Sequence, residues 1–132
     1  MNIEGLIKEV LDEIAAVTWS PGMYPQSLAA ISQQPAGAWT VATGTGQSTS
    51  TRRLATVEAT VNVSLWCADA EARAAAKQSV LSALVAVGFL ALVPSDAEVV
   101  LDGGKATAYV SSMVFRAWID TATGWVYQHQ NS

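Results

Sequence analysis

The only histidine, His129, stands three residues from the end of a polar tail, and the only cysteine, Cys67, closes a run of alternating apolar residues. Acyl transfer by a Ser/His/Asp arrangement needs an imidazole held in a framework, and a thiolate nucleophile needs a nearby base or an electropositive setting. Neither condition is built around these two residues, and one histidine cannot make a histidine-rich metal site. Cys67 therefore reads as a small buried hydrophobe near a strand end, and His129 as a solvated tail residue. The stretch Gly44-Thr45-Gly46-Gln47 has the glycines of a phosphate-binding loop, but no lysine follows at P-loop spacing and no helix start follows the glycines. Asp96, Glu98 and Asp102 could gather round a cation, yet their spacing is not that of an EF-hand loop, and they read as solvated turn carboxylates. No catalytic residue, cofactor site or metal site emerges, and the expectation is a non-enzymatic protein.

Two other groups point to contacts instead of chemistry. Arg52-Arg53 is the one adjacent basic pair in the chain, suited to an acidic partner or a passing phosphate backbone and equally to a solvated hairpin edge. Of five tryptophans, Trp19, Trp39, Trp66, Trp118 and Trp125, one or two are expected to serve assembly, because aromatic side chains concentrate at the buried centres of protein interfaces; the alternative is that all five are core or edge packing, since strand ends commonly hold Trp.

Composition narrows the classes further. The 132 residues are 51% hydrophobic and only 14% charged, so the surface must be rich in Ser, Thr, Gln and Ala, which a partner covers at low desolvation cost. A formal charge of −4 argues against binding that depends on neutralising many phosphates. Neither a signal-peptide pattern nor a run of roughly 18 apolar residues is present, which predicts no membrane span and a cytosol-like compartment. One domain over 1–132 is expected.

The elements follow from periodicity. Ile3, Leu6, Ile7, Val10, Leu11, Ile14 and Val17 recur at helical spacing, predicting an amphipathic helix that ends before Ser20-Pro21-Gly22, with Glu4 and Lys8 as an i,i+4 pair. Met23 to Gly37 reads as an ordered connector, and Ala38 to Thr43 as a short strand. Gly44 to Arg53 has no large apolar anchor and should project, as a loop or as the tip of a hairpin at about 44–53. Val57, Ala59, Val61, Val63 and Leu65 alternate with polar residues in a strand with one apolar face. Asp69 caps a helix with the stripe Ala72, Ala76, Val80, Leu84 and Val87, and Gly88 ends it. Phe89 to Val93 and Glu98 to Leu101 read as short strands parted by a turn at Pro94-Ser95-Asp96, with another turn at Asp102-Gly103-Gly104. Thr107 to Ile119 is a long strand with Tyr109, Met113, Phe115 and Ile119 on one face and Val110, Val114 and Trp118 on the other. Gly124 to Tyr127 reads as a last edge strand. The predicted class is α+β, an antiparallel β-sheet with two α-helices packed on one face. The second apolar face of the late strand then calls for cover by another element or another subunit.

With its amphipathic opening helix, Met23-Tyr24-Pro25, Val61-Asn62-Val63-Ser64-Leu65-Trp66 running into Ala68 to Gly88-Phe89, the strand Tyr109 to Ile119, and Gly124-Trp125-Val126-Tyr127-Gln128, the chain resembles the tail completion and tail terminator proteins of long-tailed bacteriophages. The resemblance covers most of the chain and lies in element order and general character; Gly44 to Arg53 and the Leu28 to Pro35 connector depart from it. It implies a virion protein of the tail and neck, assembled in the host bacterial cytoplasm. As a homo-hexameric ring it would end tail-tube polymerisation and dock a head-to-tail connector or stopper protein. It would touch the tail tube protein, and DNA only as a transient passenger. A ring is a closed heterologous assembly, in which one patch covers a different patch of the neighbour. Gln47, Arg52, Arg53, Trp66, Val110, Val114, Trp118, Trp125 and Tyr127 are the candidate subunit or lumen contacts. The competing readings are another neck component, or a monomeric small-molecule-binding α+β domain with the late strand lining a pocket.

Overall fold

The computed structural model describes residues 3–19, 31, 34–43, 47–49, 54–120 and 126–128. Two helices, α1 (Ile3–Asp12) and α2 (Ala70–Val87), pack on one face of a sheet. Its strands are β1 (Thr18–Trp19), β2 (Ala36–Thr43), β3 (Gln47–Thr49), β4 (Leu54–Cys67), β5 (Leu90–Ala91), β6 (Ser95–Leu101), β7 (Ala106–Asp120) and β8 (Val126–Gln128). The fold is α+β. Its spine is the antiparallel pair of the two longest strands, β4 and β7, which runs in register from Thr56↔Asp120 to Cys67↔Tyr109. On its outer side β4 pairs with β2 and β3, and β7 with β6, β5 and β8.

Strict alternation places Ala59, Val61, Val63 and Leu65 of β4 beside Met113, Phe115, Ala117 and Ile119 of β7, all buried against the helices with Ile7, Leu11, Val80, Leu84 and Phe89. Burying a side chain of this size contributes about 1.5–3 kcal/mol, so this layer dominates the stability. Helix α2 carries its stop and start in sequence. Asp69 Oδ1 accepts from the Ala72 N–H at 2.7 Å. At the other end Gly88 turns at φ 119°, its N–H bonding the Val85 carbonyl and the Phe89 N–H bonding that of Leu84. That double bond pattern is a Schellman motif, and the buried Phe89 and Leu84 supply its apolar contact.

Helix α1 is shorter than its apolar spacing predicts. It ends at Asp12, and Ile14 and Val17 follow in two turns, the Ile14 N–H bonding the Leu11 carbonyl and the Val17 N–H that of Ile14. Asp12 and Glu13 set negative charge against the carbonyl end of the helix with no basic residue in the last turn, a poor match to its dipole. Lys8 bonds Asp12 at 2.7 Å, so the ion pair on this helix lies one turn beyond the expected partner, Glu4. The turns still deliver Val17 to the core, which is why the periodicity outlasts the helix.

The sheet is antiparallel except at one place: β1 pairs with β2 in parallel, Thr18↔Ala36 and Trp19↔Gly37. The Thr18 N–H donates to the Pro35 carbonyl, and the Gln34 side chain to the Thr18 hydroxyl at 2.6 Å. The turn expected at Pro94-Ser95-Asp96 is also shorter, because β6 begins at Ser95 and pairs continuously with β7 to Leu101↔Ala106. Asp102, Gly103 and Gly104 then turn with φ of 55°, 65° and 97°. Of the expected Phe89 to Val93 strand, Leu90–Ala91 is paired. The Met23 to Ala30 part of the connector and the Gly124-Trp125 start of the last strand lie outside the described residues.

Candidate subunit interface

Cross-strand partners share a face, so Trp66, Ser64, Asn62, Thr60 and Glu58 of β4 stand beside Val110, Ser112, Val114, Arg116 and Trp118 of β7 on the side away from the helices. The two ends of this second face differ. At one end Trp66 and Val110 form a smaller core with Ile31, Ala38, Leu101 and Ala108. Both retain only 8% exposure, so their burial is accounted for within one chain and they offer little area to a neighbour. Much of that cover comes from Ile31, which lies in a connector with no periodic signal. Further along, Asn62, Ser112 and Arg116 are exposed, while Val114 and Trp118 are half-buried. Trp118 lies between Glu58 on β4 and Tyr127 on β8 in the register.

Of the other candidates, Gln47 opens β3, which pairs with β4 as Gln47↔Thr56, Ser48↔Ala55 and Thr49↔Leu54. A strand, not a helix, therefore follows the glycines. Arg52, Arg53 and Trp125 lie outside the described residues.

The chemistry-bearing residues are placed as follows. Cys67 is fully buried in the main core, and loss of solvation pushes its thiol up to about 11, the opposite of an activated nucleophile. Asp96 is no turn carboxylate. Its Oδ2 accepts from Lys77 Nζ at 2.9 Å and lies 3.9 Å from Arg73 Nε, and its Oδ1 accepts from the buried Ser111 hydroxyl at 2.8 Å. These bonds, Lys77 first and Ser111 second, hold its carboxyl below the ordinary aspartate value. Arg73 also lies 5.4 Å over the Tyr109 ring and bonds the Ala97 carbonyl. The cluster ties β6 to α2 and β7. Its sequence signal was faint: two cations at i,i+4 off the apolar stripe, and one serine on the core face of β7. Among the described residues no group of three or more His, Cys, Asp or Glu side chains could hold a metal, and no helix is long and apolar enough to cross a membrane.

An apolar hollow of about 190 Å³ lies between Ala72, Ala75 and Ser79 of α2 and the Ile14 to Val17 turns. It is on the helix side, and no residue of β7 lines it. Among the described residues the arrangement defines a class, a helix-backed sheet whose other face is covered at the Trp66 end by Ile31 and its neighbours. No protein-family model matches the chain, and no curated protein matches its sequence.

Proposed function

We propose that this chain is a structural virion protein whose copies close into a ring at the head-proximal end of a phage tail tube, ending tube growth and offering a surface to the head connector. The observation that carries this reading is the divided second face. Ile31 and its neighbours complete a core at the Trp66 end, whereas the Val114 to Trp118 end keeps large apolar groups half-covered beside exposed Asn62 and Arg116. A mixed apolar and polar patch of that kind is what recurrent association uses. The likeness in element order to tail terminators supplies the rest. The small-molecule reading wanted a concave site on the late strand with convergent polar groups, and the hollow on the helix side has Ser79 as its one polar lining residue.

The test is native mass measurement joined to a tube-growth assay. A discrete oligomer that halts polymerisation of purified tail-tube protein supports the ring. A discrete oligomer that binds a connector but leaves tube growth unchanged transfers the protein to another neck position. A monomer at high concentration that binds neither removes the reading.

A further inference from the structure

Among the described residues Val93 is the most exposed large apolar side chain, 92% open to solvent. A single exposed valine is ordinary on a protein surface. This one is held in place. The Leu92 N–H before it donates to the Val114 carbonyl, and Ser95 after it pairs with Ser112, so β7 fixes the chain on both sides. Pro94 confines Val93 to extended backbone. The result is a preset apolar knob next to the half-covered Val114, and a preset group loses little freedom on binding.

The hollow on the helix side complements it. At about 190 Å³ it is smaller than the roughly 300–1,000 Å³ of a drug-sized ligand site and close to the roughly 150 Å³ cavity that holds one benzene ring, so its capacity is about one side chain. Its lining is apolar apart from Ser79, and Ala75 and Ser79 are exposed.

Knob and hollow cannot meet within one chain. Arg73 and Lys77, on one flank of α2, reach Asp96 of β6, and Val93 lies on that side, between β5 and β6. Ala72, Ala75 and Ser79 face the Ile14 to Val17 turns on the other flank. Val17 and Pro35 lead into β1 and β2, and β2 is separated from β5 by three strand spacings, roughly 14 Å. Charge agrees with a contact between copies. The rim of the hollow carries Glu13, next to Ile14, and Glu71, one helical turn before Ala75; both are exposed, and no lysine or arginine lines the hollow. On the knob side Arg116 is exposed and in register with Leu90, three residues before Val93. Among the described residues none of these three charges belongs to an ion pair.

We propose that Val93 of one copy seats in the α1–α2 hollow of the next, with Arg116 drawn toward Glu13 and Glu71 on its rim. The inference rests on the ring reading and names its contact. Two different patches on opposite flanks of the molecule make a heterologous contact, the kind that closes into a ring or runs on as a filament. Val93 also adds area to the open stretch at Val114, which alone falls short of the roughly 800 Å² per partner of a stable interface.

Cysteine crosslinking tests the contact directly, because the native Cys67 is fully buried and leaves no background. Val93→Cys with Ser79→Cys, treated with a short bis-maleimide, should give a ladder of covalent multimers ending at the native oligomer mass. Val93→Cys with Lys105→Cys, at the β6–β7 turn, should give none. Val93→Asp, and Ala75→Trp, which plugs the hollow, should each lower the assembled fraction at least tenfold at fixed concentration, with circular dichroism unchanged. Arg116→Glu should lower it too, and adding Glu71→Arg should recover part of the loss. Benzene should raise the melting temperature of Val93→Asp, whose hollow is empty, and leave that of the wild-type oligomer unchanged. A wild-type oligomer that gives no Val93–Ser79 ladder, tolerates Val93→Asp and Ala75→Trp, or is itself stabilised by benzene overturns this contact and leaves the ring standing. A wild-type monomer at high concentration removes the ring, and this contact with it.

Discussion

Replacing Gly37 by alanine would set a methyl carbon 2.4 Å from Trp19 Cζ3, 2.6 Å from Cε3 and 2.9 Å from Val17 Cγ1. All three are well inside van der Waals contact, so something must move. The ring cannot tilt away freely, because Trp19 and Gly37 are register partners in the β1–β2 pair and Val17 on the other side is buried. Overpacking typically costs about 1–3 kcal/mol, and with three contacts against tethered groups the upper end, about 3 kcal/mol, is expected. For a domain of this size that lowers the melting temperature by about 10 °C. Urea denaturation of wild type, Gly37→Ala, Trp19→Leu and the double variant forms a cycle. The double variant should be more stable than additivity allows by about 1 kcal/mol or more, since a smaller side chain at 19 relieves the clash. A Gly37→Ala protein within about 0.5 kcal/mol of wild type would refute the close-approach argument.

Asp96→Asn should lower stability at neutral pH by about 1 kcal/mol, a surface-type value because the carboxylate is partly exposed. Since its folded-state pKa is depressed, that contribution is fully present above the ordinary aspartate value of about 3.9 and is lost as pH falls through the lower folded value. Denaturation curves of the two proteins should therefore converge below about pH 4; a gap that persists undiminished at lower pH would assign the effect to something other than the carboxylate's charge. Cys67 should resist iodoacetamide at pH 8 in the folded protein and react once urea unfolds it, as read by intact mass, because its thiol is buried and raised to about 11. Asp69→Ala removes the acceptor for the Ala72 N–H and should cost about 1 kcal/mol in thermal denaturation, with Asp69→Asn recovering most of it.

What the sequence disclosed, it disclosed where one local rule acted alone. Strict alternation marked β4 and the core face of β7, and a cap at each end bounded α2. Legibility failed where two rules met. The apolar spacing of residues 3 to 17 is continuous, but charge at Asp12 and Glu13 ends the helix while turns keep Ile14 and Val17 facing inward. Periodicity records which side is buried, not which backbone delivers it. The parallel β1–β2 pair spans two residues on each strand, too few to carry a pattern. Ser95 and Asp96 looked like turn residues because their strand role depends on Lys77, Arg73 and Ser111, all distant in sequence.

The same distinction bears on the candidate interface. Trp66 and Trp118 share a face of the sheet and a sequence signature, a large aromatic among polar neighbours, yet one is enclosed by Ile31 and Leu101 and the other is half-open. A tryptophan on the apparent polar side of a strand therefore signals that something covers it, without saying whether the cover comes from the same chain. Once Trp66 and Val110 are satisfied internally, the area left for a neighbour on this face shrinks to the stretch around Val114 and Trp118. Stable interfaces bury about 800 Å² per partner, more than two half-covered side chains provide. Any ring must therefore draw on further surface; among the described residues the outer edge of β6, which lies along β7 from Ala106 to Ser112, carries the exposed Val99 and Val100. If a neighbour sits on the open end of this face, Trp118→Ala should lower the assembled fraction in native mass measurement while circular dichroism stays unchanged, and an unaltered assembly would remove this face from the contact.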